Sequence, residues 1–219
     1  MDLVQIQKKK LNGKKEPIFP SVEKGDHEEA PSPFDAPDAY APIGDGQEIA
    51  YEAMHPFLQK LRDEHDAYIV EIKAFKDALD EIEKNTEDDS HDGFARFFAI
   101  TNREVLVHNR REEVKLFPLL AKRLIESGEH SQGEKLITAV DMLEAEHLDF
   151  VQLMAVALNF FEISKRLPDP VSRDYVRKTA IQQGRAVAEQ LRLHIFREDT
   201  VYFSLAHELI STEEFDAML

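Results

Sequence analysis

Apolar side chains recur at every third or fourth position along most of the chain after residue 48, which is the spacing of one face of an α-helix. Four such apolar stripes follow one another along the sequence. They begin at Met54, Phe97, Leu136 and Val176 and end at Ile82, Leu119, Phe161 and Leu205. No alternating pattern typical of β-strands competes with them. The pattern therefore predicts four long amphipathic helices and an all-α fold.

Short groups of turn-forming residues separate the four stripes. These are residues 85–93, Gly128 with Gly133, and Pro168 with Pro170. Helices of about 35 residues rise about 50 Å, and short connections place consecutive helices antiparallel. We therefore expect an up-down-up-down four-helix bundle over residues 48–219, which ends in a short helix after Ser211 and Thr212.

Residues 1–47 have a different composition. A lysine-rich start is followed by closely spaced prolines and glycines, which oppose both helix and sheet formation. We expect an extended or disordered N-terminal arm, which serves either to dock a partner or only as a solvated leader. The arm contains no apolar run typical of a secretory signal, so a cytoplasmic location is the default expectation.

The overall composition narrows the classes of function. A chain of 219 residues with 42% hydrophobic content can bury one sizeable core. Its formal net charge of -16 opposes binding to nucleic acid phosphates. The most apolar run, residues 151–163, contains polar side chains and is too short to cross a bilayer, so we expect no membrane association. Because the chain has no cysteine, any metal ion must be bound by histidine nitrogen and carboxylate oxygen.

Polar residues interrupt each apolar stripe near its middle. Each of the four stripes contains one histidine, and the second and fourth also contain a glutamate one turn later. The six residues are His65, His108, Glu112, His147, His194 and Glu198. Burying an ionised carboxylate without a partner costs several kcal/mol, whereas a metal ion compensates glutamates and imidazoles together. The alternative is a buried polar network that contains no ion.

The H-x-x-x-E spacing of two of these pairs has a structural reason. Residues i and i+4 lie above one another on a helix, so both side chains can bind one ion. The spacing also occurs by chance, and a third match, from His130 to Glu134, lies in a polar connection without apolar neighbours. We interpret that third match as accidental.

An internal repeat supports the other two matches. Residues 108–120 align with residues 194–206 and share H-x-x-R-E, an acidic residue, then Phe and Leu. The first and third helices share L-x-x-E-H at 61–65 and 143–147. The corresponding histidines are 82 and 86 residues apart. This repeat predicts a pseudo-twofold bundle with two equivalent ions, each bound by two imidazoles, and two glutamates that bridge the ions.

The runs that carry these residues resemble the hemerythrin-like HHE cation-binding family. They are E-H on the first and third helices, H-x-x-x-E-E-x-x-L-F-P on the second and H-x-x-x-E-D on the fourth. The resemblance covers about residues 50–208. It implies a non-haem centre of two iron ions, oxo- or hydroxo-bridged, with the six residues above as ligands. It also implies an open iron position for dioxygen, nitric oxide or peroxide.

Two positions depart from the family's oxygen carriers. Those proteins have a further histidine one turn after the third-helix ligand, where this chain has Val151. They also place the last carboxylate five residues after its histidine, which is Asp199 here, whereas the internal repeat favours Glu198 at four. The four-His, two-Glu pattern is closer to the branch that includes iron-centre repair proteins and eukaryotic iron sensors.

Three functions stay open at this point. The first is binding or sensing of a diatomic ligand, the second is an enzyme that reduces peroxide or nitric oxide, and the third is iron handling or iron-centre repair.

Several neighbouring residues have two interpretations. Tyr68 and Tyr202 either donate a hydrogen bond to a bound ligand or pack in the core. Phe97, Phe98, Phe160 and Phe161 either line a gas pocket or belong to the ordinary core. Glu64 and Glu146 point about 100° away from the adjacent histidines, so we expect them to be solvated or to cap another group, and His55 and His207 to be peripheral.

Overall fold

The computed structural model describes residues 49–84 and 92–219, and within them every regular element is helical. Four rods form the bundle. The first is α1 (Pro56–Lys84), and the third is α5 (Ala139–Arg166). The second rod runs without a break through α2 (Asp92–Ile100), a π-helical turn (Thr101–Val105), α3 (Leu106–Arg111), a second π-helical turn (Glu112–Leu116) and α4 (Phe117–Ser127). The fourth contains α6 (Pro170–Arg197), a third π-helical turn (Glu198–Tyr202) and α7 (Phe203–Leu209), and the short α8 (Thr212–Asp216) follows it. The predicted all-α four-helix bundle is confirmed.

Residue types that stop and start helices mark the rod ends. The second rod ends at Gly128, whose φ of 89° is in the left-handed region that glycine adopts without strain. Thr138 and Asp141 form a capping box at the start of α5, three residues after the start that the apolar stripe predicted. At the start of α6, Asp169 caps the helix and Pro170 occupies its first turn. These caps explain why the breaks at 128 and 168–170 were visible in the sequence.

Two apolar layers fill the bundle, and the polar layer with the four central histidines lies between them along every rod. One layer is built from the apolar residues of α1 beyond His65, those of α5 beyond His147, and those that precede His108 and His194. The other layer includes Leu58, Leu61, Leu116, Leu120, Leu143, Phe203 and Phe215. The phenylalanines proposed for a gas pocket belong to the first layer. Phe97 stacks on Phe75 at 4.1 Å between ring centres, Phe161 packs on Phe94 at 4.0 Å, and Phe98 and Phe160 lie partly buried against them.

Close approach of backbones explains two of the glycines. A Cβ on Gly93 would lie 2.3 Å from Cβ of Ala78, and one on Gly184 would lie 3.1 Å from both Cδ atoms of Leu79. The second rod therefore approaches α1 more closely than a side chain at Gly93 would allow. The fourth rod would accept a side chain at Gly184 only if the Leu79 side chain shifted.

The expected N-terminal arm over residues 1–47 lies outside the described residues, so the domain boundary near residue 48 stays a prediction. Among the described residues, none of the helices combines the length and apolar content needed to span a bilayer.

Candidate metal centre

The six polar residues selected from the apolar stripes lie together in the centre of the bundle. All are buried, with exposed fractions between 0% and 4%. Their ligand atoms fall into two groups, within each of which all atoms lie within 4.8 Å of one another. The first group contains His65, His108, Glu112 and Glu198. The second group contains Glu112, His147, His194 and Glu198. Both glutamates belong to both groups, whereas His130 lies in the connection after α4 and belongs to neither.

The histidines face one another in pairs. The Nε2 atoms of His65 and His108 are 2.9 Å apart, and those of His147 and His194 are 3.0 Å apart. Glu198 reaches both pairs, with one carboxylate oxygen 3.2 Å from Nε2 of His65 and the other 3.2 Å from Nε2 of His194. Glu112 spans the pairs in the same way, at 3.3 Å from His108 and 3.7 Å from His147. Each carboxylate thus has the geometry of a bridge between two cation positions.

The opposite ring nitrogen of each histidine contacts a carboxylate, and we call these four the outer carboxylates. The Nδ1–carboxylate distances are 2.7 Å for His65–Asp199, 2.7 Å for His108–Glu64, 2.8 Å for His147–Glu113 and 2.9 Å for His194–Glu146. Because a carboxylate only accepts, Nδ1–H donates in each contact. In the neutral tautomer this leaves the Nε2 lone pair directed at the centre, as a metal ligand requires.

The electrostatics of the centre fit a cation. All four carboxylate oxygens of Glu112 and Glu198 are buried and accept no hydrogen bond from any described residue. Burial opposes the charged form of Glu198, but His194 and His65 outweigh it and hold its pKa well below the usual value. Burial likewise lowers the pKa of His108, but Glu112, Glu64 and Glu198 together outweigh it and raise that pKa to about 10. Negative oxygens and imidazole nitrogens thus converge on the same positions, where a proton or a metal ion must compensate the negative charge. A set of nitrogen and oxygen donors suits iron, manganese or zinc.

Comparison with known families agrees with this geometry. The Hemerythrin HHE cation binding domain matches residues 56–206. The chain belongs to this hemerythrin family. No curated protein matches it significantly. Membership implies metal binding, and among the described residues the buried His–Glu cluster could hold a metal.

Glu64 and Glu146 have a role that helix geometry alone did not assign. Each accepts a hydrogen bond from the histidine of the next rod, and each also pairs with an arginine of that rod. The arginine distances are 2.7 Å for Arg111 to Glu64 and 2.5 Å for Arg197 to Glu146. Burial opposes the charge on Glu64, but hydrogen bonds from His108 and Arg111 lower its pKa to about 2. Of the two alternatives expected for Glu64 and Glu146, solvation or capping of another group, these contacts match the second.

A sequence signal for this pairing existed. The repeated E-H of the first and third helices and the repeated H-x-x-R of the second and fourth are the two halves of one arrangement. In the hemerythrin bundle the glutamate beside one histidine orients the histidine of the neighbouring rod. The spacing within a single helix does not show this pairing between rods.

Two of the three π-helical turns in the described residues begin at the central glutamates, Glu112 and Glu198. Such turns are rare and occur mostly at functional sites. Beyond each glutamate, the next acidic residue reaches a histidine of the other hairpin, so Glu113 contacts His147 and Asp199 contacts His65. Asp199 therefore lies at Nδ1 of His65 rather than in the central groups, whereas Glu198, which the repeat favoured, belongs to both groups.

Aromatic rings cover the histidines. Phe203 stacks on His65 and Phe117 lies against His147, both at 5.5 Å between ring centres. These are the phenylalanines of the internal repeat. Tyr68 meets the His108 ring edge-on at 5.5 Å, and burial raises the pKa of Tyr68 above its ordinary value. Tyr202, one turn beyond Glu198, is buried. Of the remaining histidines, His55 stacks on Phe215 near the start of α1, and His207 is exposed.

Proposed function

We propose that this hemerythrin domain is a non-haem di-iron protein of the four-His, two-Glu type, which binds or senses dioxygen or nitric oxide. The observation that carries the proposal is the sharing of Glu112 and Glu198 by both four-residue groups. A mononuclear site needs no bridging carboxylate, whereas two carboxylates common to two histidine pairs are the donor set of a dinuclear centre.

The chain's own residues prepare this donor set. The outer carboxylates hold each imidazole in one orientation and one tautomer, so the Nε2 atoms converge without rearrangement. Phe117 and Phe203 cover two of the rings, and apolar layers lie on both sides, which restricts water at the centre. A dry, preorganised site strengthens binding of a small ligand because little reorganisation is needed.

The number of protein donors leaves room for that ligand. Each group offers two imidazole nitrogens and two carboxylate oxygens, and iron prefers five or six ligands. Two iron ions bound here would supply an open coordination position and, in the ferrous state, electrons. Val151 occupies the position where the family's oxygen carriers have a further histidine, so one donor fewer is available.

Metal content of a histidine variant tests the site. We expect about two iron ions per chain in protein purified anaerobically. His108→Ala should lower that content sharply, because it removes one of four imidazoles. His130→Ala is the matched control, since His130 has the same H-x-x-x-E spacing but lies outside both groups. Unchanged metal content in His108→Ala would remove this residue from the ligands.

Optical spectra separate the candidate functions. A binding or sensing protein should show absorption that changes with dioxygen or nitric oxide and returns when the gas is removed. Sustained turnover of peroxide or nitric oxide, above a free-iron control, would show an enzyme instead. Rapid transfer of the iron to a chelator would show an iron-handling protein.

A further inference from the structure

The two halves of the centre are related by the internal repeat, but their surroundings carry different charges. The repeat aligns Leu-Arg-Asp-Glu-His at 61–65 with Leu-Glu-Ala-Glu-His at 143–147. Arg62 and Glu144 thus occupy corresponding positions, each three residues before a central histidine. Their charges differ by two units at places that the pseudo-twofold symmetry makes equivalent.

On the His65 side, the arginine neutralises and covers the outer carboxylate. Arg62 approaches one oxygen of Asp199 to 2.9 Å, while the other oxygen accepts from His65 at 2.7 Å. The Asp199 side chain is only 10% exposed. The Arg62 guanidinium thus adds positive charge beside the His65–His108 position.

On the His147 side, the corresponding carboxylate is open to solvent. The Glu113 side chain, which accepts from His147 at 2.8 Å, is 40% exposed. It lies in a surface cleft of about 510 Å³ whose lining includes His147 itself. The charged residues of that lining are Glu113, Glu144 and Arg110, so the cleft carries an excess of negative charge. A cleft with a net negative charge raises the local concentration and the arrival rate of cations.

We propose that the two cation positions fill in a fixed order, and that metal ions enter through this cleft to occupy the His147–His194 position before the His65–His108 position. The inference rests on the proposed dinuclear centre. It assigns Glu144 as a steering residue for metal loading and Arg62 as the residue that delays loading of the other position. Neither residue belongs to the groups of central ligands.

Stopped-flow loading of the metal-free chain with Co²⁺ tests the order. Two absorbance phases are expected, each with an amplitude of one ion per chain. Glu144→Arg gives α5 the charge that α1 carries at Arg62, and it should slow the fast phase about tenfold at low ionic strength. The slowing should shrink in high salt, because the effect is electrostatic. Glu129→Arg makes the same charge change at an exposed residue outside the cleft and should load like the unmodified chain.

Variants of the central histidines assign the phases. His65→Ala should keep the fast phase, and His147→Ala should lose it. Arg62→Gln should accelerate the slow phase and leave the fast phase unchanged. If the unmodified chain binds two ions but Glu144→Arg loads at the unmodified rate, the ordered entry is overturned and the dinuclear centre is not. Absence of stoichiometric Co²⁺ binding in the unmodified chain would overturn the proposed centre itself.

Discussion

Four histidines of this hemerythrin domain are each oriented by an acidic residue on a different rod. Such partners of a metal-binding imidazole select its tautomer and raise its basicity. Three of the four, Glu64, Glu146 and Asp199, are further held by Arg111, Arg197 and Arg62, each of which comes from the same rod as the histidine. The orientation of each central histidine therefore depends on residues that never touch the cation positions.

Glu64→Gln tests this dependence at the residue scale. The amide keeps the shape and can still accept from Nδ1 of His108, but it loses the charge that holds the imidazole and Arg111. We expect metal affinity to fall about 10- to 100-fold. Competition with a chelator of known affinity measures the change.

The matched control is Glu71→Gln, which lies on the same helix and loses only an ion pair with the exposed Arg96. Such a surface pair contributes about 1 kcal/mol or less, so metal affinity should not change. Equal affinities in Glu64→Gln and Glu71→Gln would show that Glu64 does not support the site.

At the scale of elements, the pseudo-twofold symmetry extends beyond the six central residues. In both the second and the fourth rod a π-helical turn begins at the central glutamate, and the phenylalanine five residues later covers a histidine of the other hairpin. The rods also approach α1 closely at Gly93 and Gly184. The position of the central groups therefore depends on the spacing between rods as well as on the residues themselves.

Gly93→Ala tests that spacing. Alanine favours a helix over glycine by about 1 kcal/mol, which alone would stabilise α2. The added Cβ would lie 2.3 Å from Cβ of Ala78, however, and neither atom can rotate away. We expect a net loss of about 1–3 kcal/mol in the free energy of unfolding, measured in urea at equal metal content.

Gly133→Ala provides the comparison, because its added Cβ meets its nearest atom at an ordinary 3.5 Å. Its free energy of unfolding should change by no more than about 0.5 kcal/mol. If Gly93→Ala were instead more stable than the unmodified chain, the close contact between α1 and α2 would be refuted.

At the scale of the whole molecule, a charged layer separates two apolar layers. Four imidazoles and two carboxylates from four rods meet in that layer. Each cation position draws its donors from three rods, so two bound cations together would link all four. A ligand that binds only the folded state stabilises it by mass action. Metal content and folding stability should therefore change together.

Removal of the metal should lower the melting temperature. At a free metal concentration 1,000 times the Kd, binding contributes about 4 kcal/mol to the free energy of unfolding. Differential scanning calorimetry before and after chelator treatment measures the shift. His108→Ala, which should hold less metal, serves as the control and should show a smaller shift on chelator treatment. Identical melting of the unmodified chain in both conditions would contradict a stabilising metal.

The sequence by itself determined the fold class and the six inward-facing polar residues, because both depend on spacing along one helix. A period near 3.6 residues defines a buried face, and a histidine or glutamate on that face must lie in the interior. The internal repeat extended this to two related hairpins and favoured Glu198 over Asp199 for the centre.

Only the tertiary structure decided which acidic residue meets which histidine. The pairing of Glu64 with His108, and of Asp199 with His65 and Arg62, depends on the height and rotation of one rod against another. The spacing within a single helix contains no information on that register. The same holds for the unequal surroundings of the two cation positions. The sequence shows that Arg62 and Glu144 differ in charge, but the tertiary structure decides which carboxylate each of them lies beside.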